Sequence, residues 1–127
     1  MTILIINLGR QIGMINKKIY DKLKEIAKRQ ETISYSQFAS DCNMPYTSVD
    51  ERNQFHHLIG KISEFEVKNK RPMLSVLVHH KGDVERTPGK GFFELADKLE
   101  QRNPGETDKE MQYRIIKDCW KFWKERV

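Results

Sequence analysis

The sequence predicts an α+β fold in which helices dominate: a winged-helix-like core with a small β-hairpin, closed by two C-terminal helices. Three observations lead there. Several segments repeat apolar residues at helical spacing, and two open with capping boxes, Ser48 to Glu51 and Thr107 to Glu110. One continuous apolar run, Met73 to His79, reads as a buried strand. A chain of 127 residues with 38% hydrophobic content has enough apolar mass for one core, so residues 1–127 are expected to form a single domain.

The elements follow in order. Within residues 1–13, the β-prone segment Thr2 to Leu8 forms either an arm or an edge strand; 14–91 make the winged-helix-like core and 92–127 the helical closure. Ile15, Ile19, Leu23 and Ile26 recur at intervals of four, four and three, which predicts an amphipathic helix over 14–29. Ile33 to Ser36 reads as a short extended piece leading into a compact helix with Phe38, Ala39 and Cys42 on one side and Ser34 or Ser36 as N-cap. Asn43-Met44-Pro45 breaks that helix. After the Ser48 capping box, Phe55, Leu58, Ile59, Ile62 and Phe65 place a helix over 49–67. Beyond the 73–79 strand, Lys81-Gly82-Asp83 turns the chain. Phe92 and Phe93 are either a return strand or the start of a helix. Asn103-Pro104-Gly105 ends that segment. Met111, Ile115, Ile116, Cys119, Trp120 and Trp123 then give the last helix a broad apolar face.

Composition excludes several classes. No uncharged stretch approaches the roughly 20 residues of a membrane helix, and the early lysines follow the first apolar stretch instead of preceding it, so a cytoplasmic protein without a membrane partner is expected. Cys42 and Cys119 have no metal or redox spacing and read as reduced core thiols. Neither histidine pair, His56-His57 or His79-His80, has a third ligand at suitable spacing, so no metal and no cofactor is expected.

Net charge is +5, distributed unevenly. Residues 1–30 sum to +5, 31–67 to −4, 68–91 to +4, and 92–127 to zero. Because phosphate neutralisation dominates nucleic-acid affinity, contacts are expected through Lys68, Lys70, Arg71, Lys81, Arg86 and Lys90, in a basic wing and the Pro88-Gly89-Lys90-Gly91 loop. That loop is either a glycine-rich anion nest or an ordinary turn. Two further readings stand beside this one. His80 and Lys81, with Glu66 or Glu64, would supply the base, acid and cation of a metal-independent nuclease. Phe122, outside the core-facing stripe of the last helix, would bind a protein partner or a second copy of the chain.

The words Ile33-Ser34-Tyr35-Ser36-Gln37-Phe38-Ala39, Leu58-Ile59-Gly60-Lys61-Ile62 and Pro72 before the apolar run resemble the winged-helix DNA-binding half of the alkyltransferase-like proteins. The likeness spans roughly 33–91 and implies a second helix that reads a groove. The family's cysteine-histidine-arginine word is replaced by Met73, Leu74 and Ser75, so alkyl transfer is not implied. Arg71 to Val78 with Pro88 to Phe93 is also similar to small bacterial proteins of unassigned function.

Overall fold

The computed structural model describes residues 15–124 and 126. The arm or edge strand expected over 1–13 lies outside the described residues. The chain folds as α1 (Lys17–Lys28), β1 (Ile33–Ser34), α2 (Tyr35–Asp41), α3 (Val49–Lys68), a 3₁₀ turn (Leu74–Leu77), β2 (Val78–His79), α4 (Lys90–Lys98) and α5 (Asp108–Trp123). This is the mainly helical α+β class the periodicities predict. No described helix is long and apolar enough to cross a membrane.

Local chemistry sets the helix starts. Asn16, Ser34, Ser48 and Thr107 each accept a backbone N–H of the first turn, and at Ser48 and Thr107 the reciprocal glutamates, Glu51 and Glu110, complete the boxes. Their ends share one device. In α1 to α4 the residue after the C-cap turns left-handed, with φ near +57°: Gln30, Asn43, Lys70 and Glu100. The following N–H then reaches back to the helix, as Arg71 N does to Glu66 O at 2.9 Å. These are Schellman closures made without glycine.

The core gathers around the 3₁₀ turn, which packs against α1, α3 and α5. Leu74, Val76 and Leu77 are fully buried and Ser75 nearly so. The expected strand over 73–79 is therefore corrected to a 3₁₀ turn with two strand residues after it. A continuously apolar run fits any element buried on all sides, and here helices enclose it. The turn is tied down by Ser63 of α3, whose Oγ accepts Ser75 N at 3.0 Å and donates to Ser75 Oγ at 2.6 Å.

The expected hairpin is also corrected. β2 pairs in parallel with β1, Ile33 with Val78 and Ser34 with His79, rather than with a return strand. Residues 80–89 run as a loop directly into α4, where Gly89 is the N-cap. Phe92 and Phe93 are thus helical, Phe92 buried against the core. The wing that a hairpin would have formed is absent among the described residues.

Candidate nucleic-acid interface

The C-terminal ends of α3 and α5 come together around a groove of about 670 Å³. Lys70, Arg71, Lys121 and Arg126 contribute cations, Phe122 an aromatic ring, and Asp118 one carboxylate. Asp118 is already engaged, 3.6 Å from Arg114 Nη1. Arg71 is fixed from behind: its Nε lies 3.1 Å from both oxygens of the buried Glu66, and Tyr20 Oη donates to Glu66 Oε1 at 2.6 Å. Burial and that carboxylate push the Tyr20 phenol well above its ordinary value. No carboxylate among the described residues lies within ion-pair distance of Lys70, Lys121 or Arg126. Arg126 lays its guanidinium 3.7 Å from the centre of the Phe122 ring. The groove combines unneutralised positive charge with an aromatic surface.

A second cluster forms where α2, α3 and the loop before α4 meet. The Tyr35 ring packs against two imidazoles, His56 at 4.4 Å and His80 at 5.5 Å between ring centres. Tyr35 Oη accepts Gly89 N at 2.8 Å, and the hydroxyl of Tyr46 lies 2.6 Å from His56 Nε2. A Cβ on Gly89 would meet Tyr35 Oη at 3.3 Å, so close approach of the loop favours glycine there. Burial pushes the Tyr35 phenol up to about 12. Burial, and then the charges of His80 and Arg52, hold the His56 imidazole below its ordinary value. Beside this cluster a cavity of about 240 Å³ opens between α3 and α4.

The six cations expected to bind phosphate thus divide into two groups. Lys68, Lys70 and Arg71 close α3, next to the groove. Lys81, Arg86 and Lys90 are exposed on or beside the 80–89 loop, which α5 holds at its other end through Gln112 and Tyr113, both donating to Glu85 O. Lys90 Nζ lies 3.5 Å from Glu94. The Pro88–Gly91 segment serves as the turn that starts α4. The proposed nuclease set is not brought together. Glu66 is enclosed with Tyr20 and Arg71 near the C-terminal end of α3, whereas His80 sits against Tyr35 and Gly89; Glu64 is paired with Lys61 at 3.3 Å. Phe122 is half-buried in the groove.

Sequence reasoning missed Lys121 and Arg126 as groove residues. Part of the signal was present: Asp118 and Phe122 are four residues apart, so they share the side of α5 turned from the core, and Lys121 and Arg126 flank Phe122 in the sequence. It also missed Tyr35, Tyr46 and His56, which long-range folding assembles. Comparison with family models, characterised proteins and solved structures finds no match to this chain, so its assignment rests on its own geometry.

Proposed function

We propose that the chain is a nucleic-acid-binding or regulatory module without catalytic chemistry of its own, and that its main phosphate contacts lie in the groove between the ends of α3 and α5. The observation that carries this reading is the groove's composition: Lys70, Lys121 and Arg126, with an aromatic ring, against the carboxylate Asp118 that is itself paired with Arg114, while Arg71 is held by Glu66. Phosphate oxygens suit the cations, and a nucleobase suits the exposed part of Phe122. Lys81, Arg86 and Lys90, exposed on or beside the 80–89 loop, would add secondary contacts.

The test is fluorescence anisotropy with labelled oligonucleotides at two salt concentrations. The double variant Lys70→Glu/Lys121→Glu is expected to lose about tenfold or more in affinity and to show a shallower salt slope. The loop variant Lys81→Glu/Lys90→Glu is expected to lose less. Absence of binding by the parent protein, or equal binding by the groove variant, would overturn the proposal.

One observation favours a second reading, phosphodiester cleavage. The fold sets His80 beside His56 and Tyr35 in place of the expected Glu66. The same probes, checked for shortening in the presence of chelator, test it; probes left intact by the parent protein refute it.

A further inference from the structure

Three cavities open in sequence along one side of α3. The first, about 240 Å³, lies by Tyr35 and His56. The second, about 290 Å³, shares His57, Gly60 and Leu95 with the first and extends to Glu64 and Lys98. The third is the 670 Å³ groove, whose Val67 and Gln101 stand about one turn beyond Glu64 and Lys98. On α3 the lining positions 57, 60, 64 and 67 recur every three or four residues, which is one helix face. Positions 91, 95 and 98 do the same on α4, and Gln101 follows just past its end. The helices therefore run side by side, with a recess between them for about 15 Å, from His57 to Val67 at about 1.5 Å per residue.

Gly60 lies midway. With no side chain it leaves the floor open, and a Cβ there would stand 3.6 Å from Leu95 Cδ2. Cations outnumber carboxylates along the recess, and its two lining carboxylates, Glu64 and Asp118, are each paired with a cation. Glu64 is 3.3 Å from Lys61, and no carboxylate among the described residues lies within ion-pair distance of Lys98. Aromatic side chains occur at both ends, Phe122 at one and Tyr35, His56 and His57 at the other.

From this geometry we infer that the three cavities form one furrow that holds a single strand of nucleic acid. Its phosphates run past Lys98, Lys70 and Lys121, and unpaired bases reach Leu95 and the terminal aromatics. The inference rests on the nucleic-acid reading above and names its ligand class. A duplex fits poorly, because its base faces are stacked inside and do not reach a recess between two helices, whereas a single strand offers both faces to stacking.

The experiment measures affinity for oligouridylates and oligothymidylates of about two, four and eight nucleotides and for a duplex of the longest length, with parent protein and two mid-furrow variants. Lys98→Glu reverses a surface charge, and Gly60→Leu fills the floor. Affinity is expected to rise with length until the furrow is filled, to exceed that for duplex by about tenfold, and to fall about fivefold or more in each mid-furrow variant. Circular dichroism separates a plugged furrow from a lost fold in Gly60→Leu, and Lys98→Glu carries the test independently. Duplex bound as tightly as single strand would overturn the furrow. So would mid-furrow variants that bind like the parent while Lys70→Glu/Lys121→Glu fails, an outcome that leaves the groove reading standing. No binding by the parent to any strand overturns both.

Discussion

Arg71 closes over Glu66 at the end of α3, with its Nε 3.1 Å from each carboxylate oxygen and its Nη2 3.0 Å from Oε1. Glu66 has no exposure to solvent, so this guanidinium is the counter-charge of a buried anion. Removing one partner of such a pair leaves the other uncompensated. Arg71→Met is expected to destabilise the protein by about 3 kcal/mol, read from the urea midpoint. A loss below about 1 kcal/mol would show that Tyr20 alone satisfies the carboxylate. Because Arg71 also lines the groove, loss of binding in an Arg71 variant mixes two causes, and Lys70 and Lys121 are the cleaner probes.

Lys70 separates stability from binding. It holds φ at +59°, a left-handed conformation that costs an L-residue about 1–2 kcal/mol and suits glycine. Its ammonium is exposed beside the groove. Lys70→Gly is expected to raise stability by about 0.5–1 kcal/mol while weakening oligonucleotide binding. Reduced stability would show that the lysine stem packs against the groove wall; unchanged binding would remove Lys70 from the interface.

His56 sets an acid limit on stability. Its folded value is held below the ordinary 6.5, mainly by burial, so the unfolded chain binds the proton more tightly. Its contribution is therefore present above about pH 6.5 and is lost as pH falls toward the folded value. The thermal midpoint is expected to drop between about pH 7 and pH 5, and the drop to shrink in His56→Gln. An equal pH profile in the variant would place the acid sensitivity elsewhere.

Tyr35 acts at the alkaline side. Its phenol is raised from 10.0 to about 12, chiefly by burial, so the folded state resists ionisation that the unfolded state undergoes. Stability should fall as pH rises above about 10, by up to about 2–3 kcal/mol near pH 12 from this group. Tyr20, raised in the same direction, adds to the effect. Tyr35→Phe should flatten part of the alkaline fall, at the cost of about 1 kcal/mol or more at neutral pH for the Gly89 N–H left without its acceptor.

The buried Ser63–Ser75 pair anchors the 3₁₀ turn. Ser63→Ala removes the acceptor of Ser75 N at a site with almost no water access and is expected to cost about 1–3 kcal/mol by denaturant titration. A neutral effect would mean the turn shifts to find another acceptor.

The helices were legible in the sequence because their signals are local. Ser48 with Glu51 and Thr107 with Glu110 locate two helix starts to the residue, and the spacing of Ile19, Leu23 and Ile26 gives the buried face of α1, with Ile15 buried just before its N-cap. The 73–79 run misled because burial on every side erases periodicity, and strand and 3₁₀ turn then look alike. The parallel pairing of Ile33 with Val78 joins residues far apart in sequence, and no turn signal announces it. The candidate site was half legible for the same reason. Lys70, Arg71 and Phe122 stood out individually by charge and by position off the apolar stripe. Their convergence depends on how the end of α5 crosses the end of α3, which is decided by core packing and not by either segment.

The most direct test of the central claim is an amide-shift titration of the isotopically labelled protein with a short oligouridylate. Perturbations clustered from His57 on α3 to Arg71 just beyond it, from α4 to Gln101 just past its end, and around Lys121 and Phe122 are the predicted result. Perturbations confined to the 80–89 loop, or none at saturating oligonucleotide, would contradict the account.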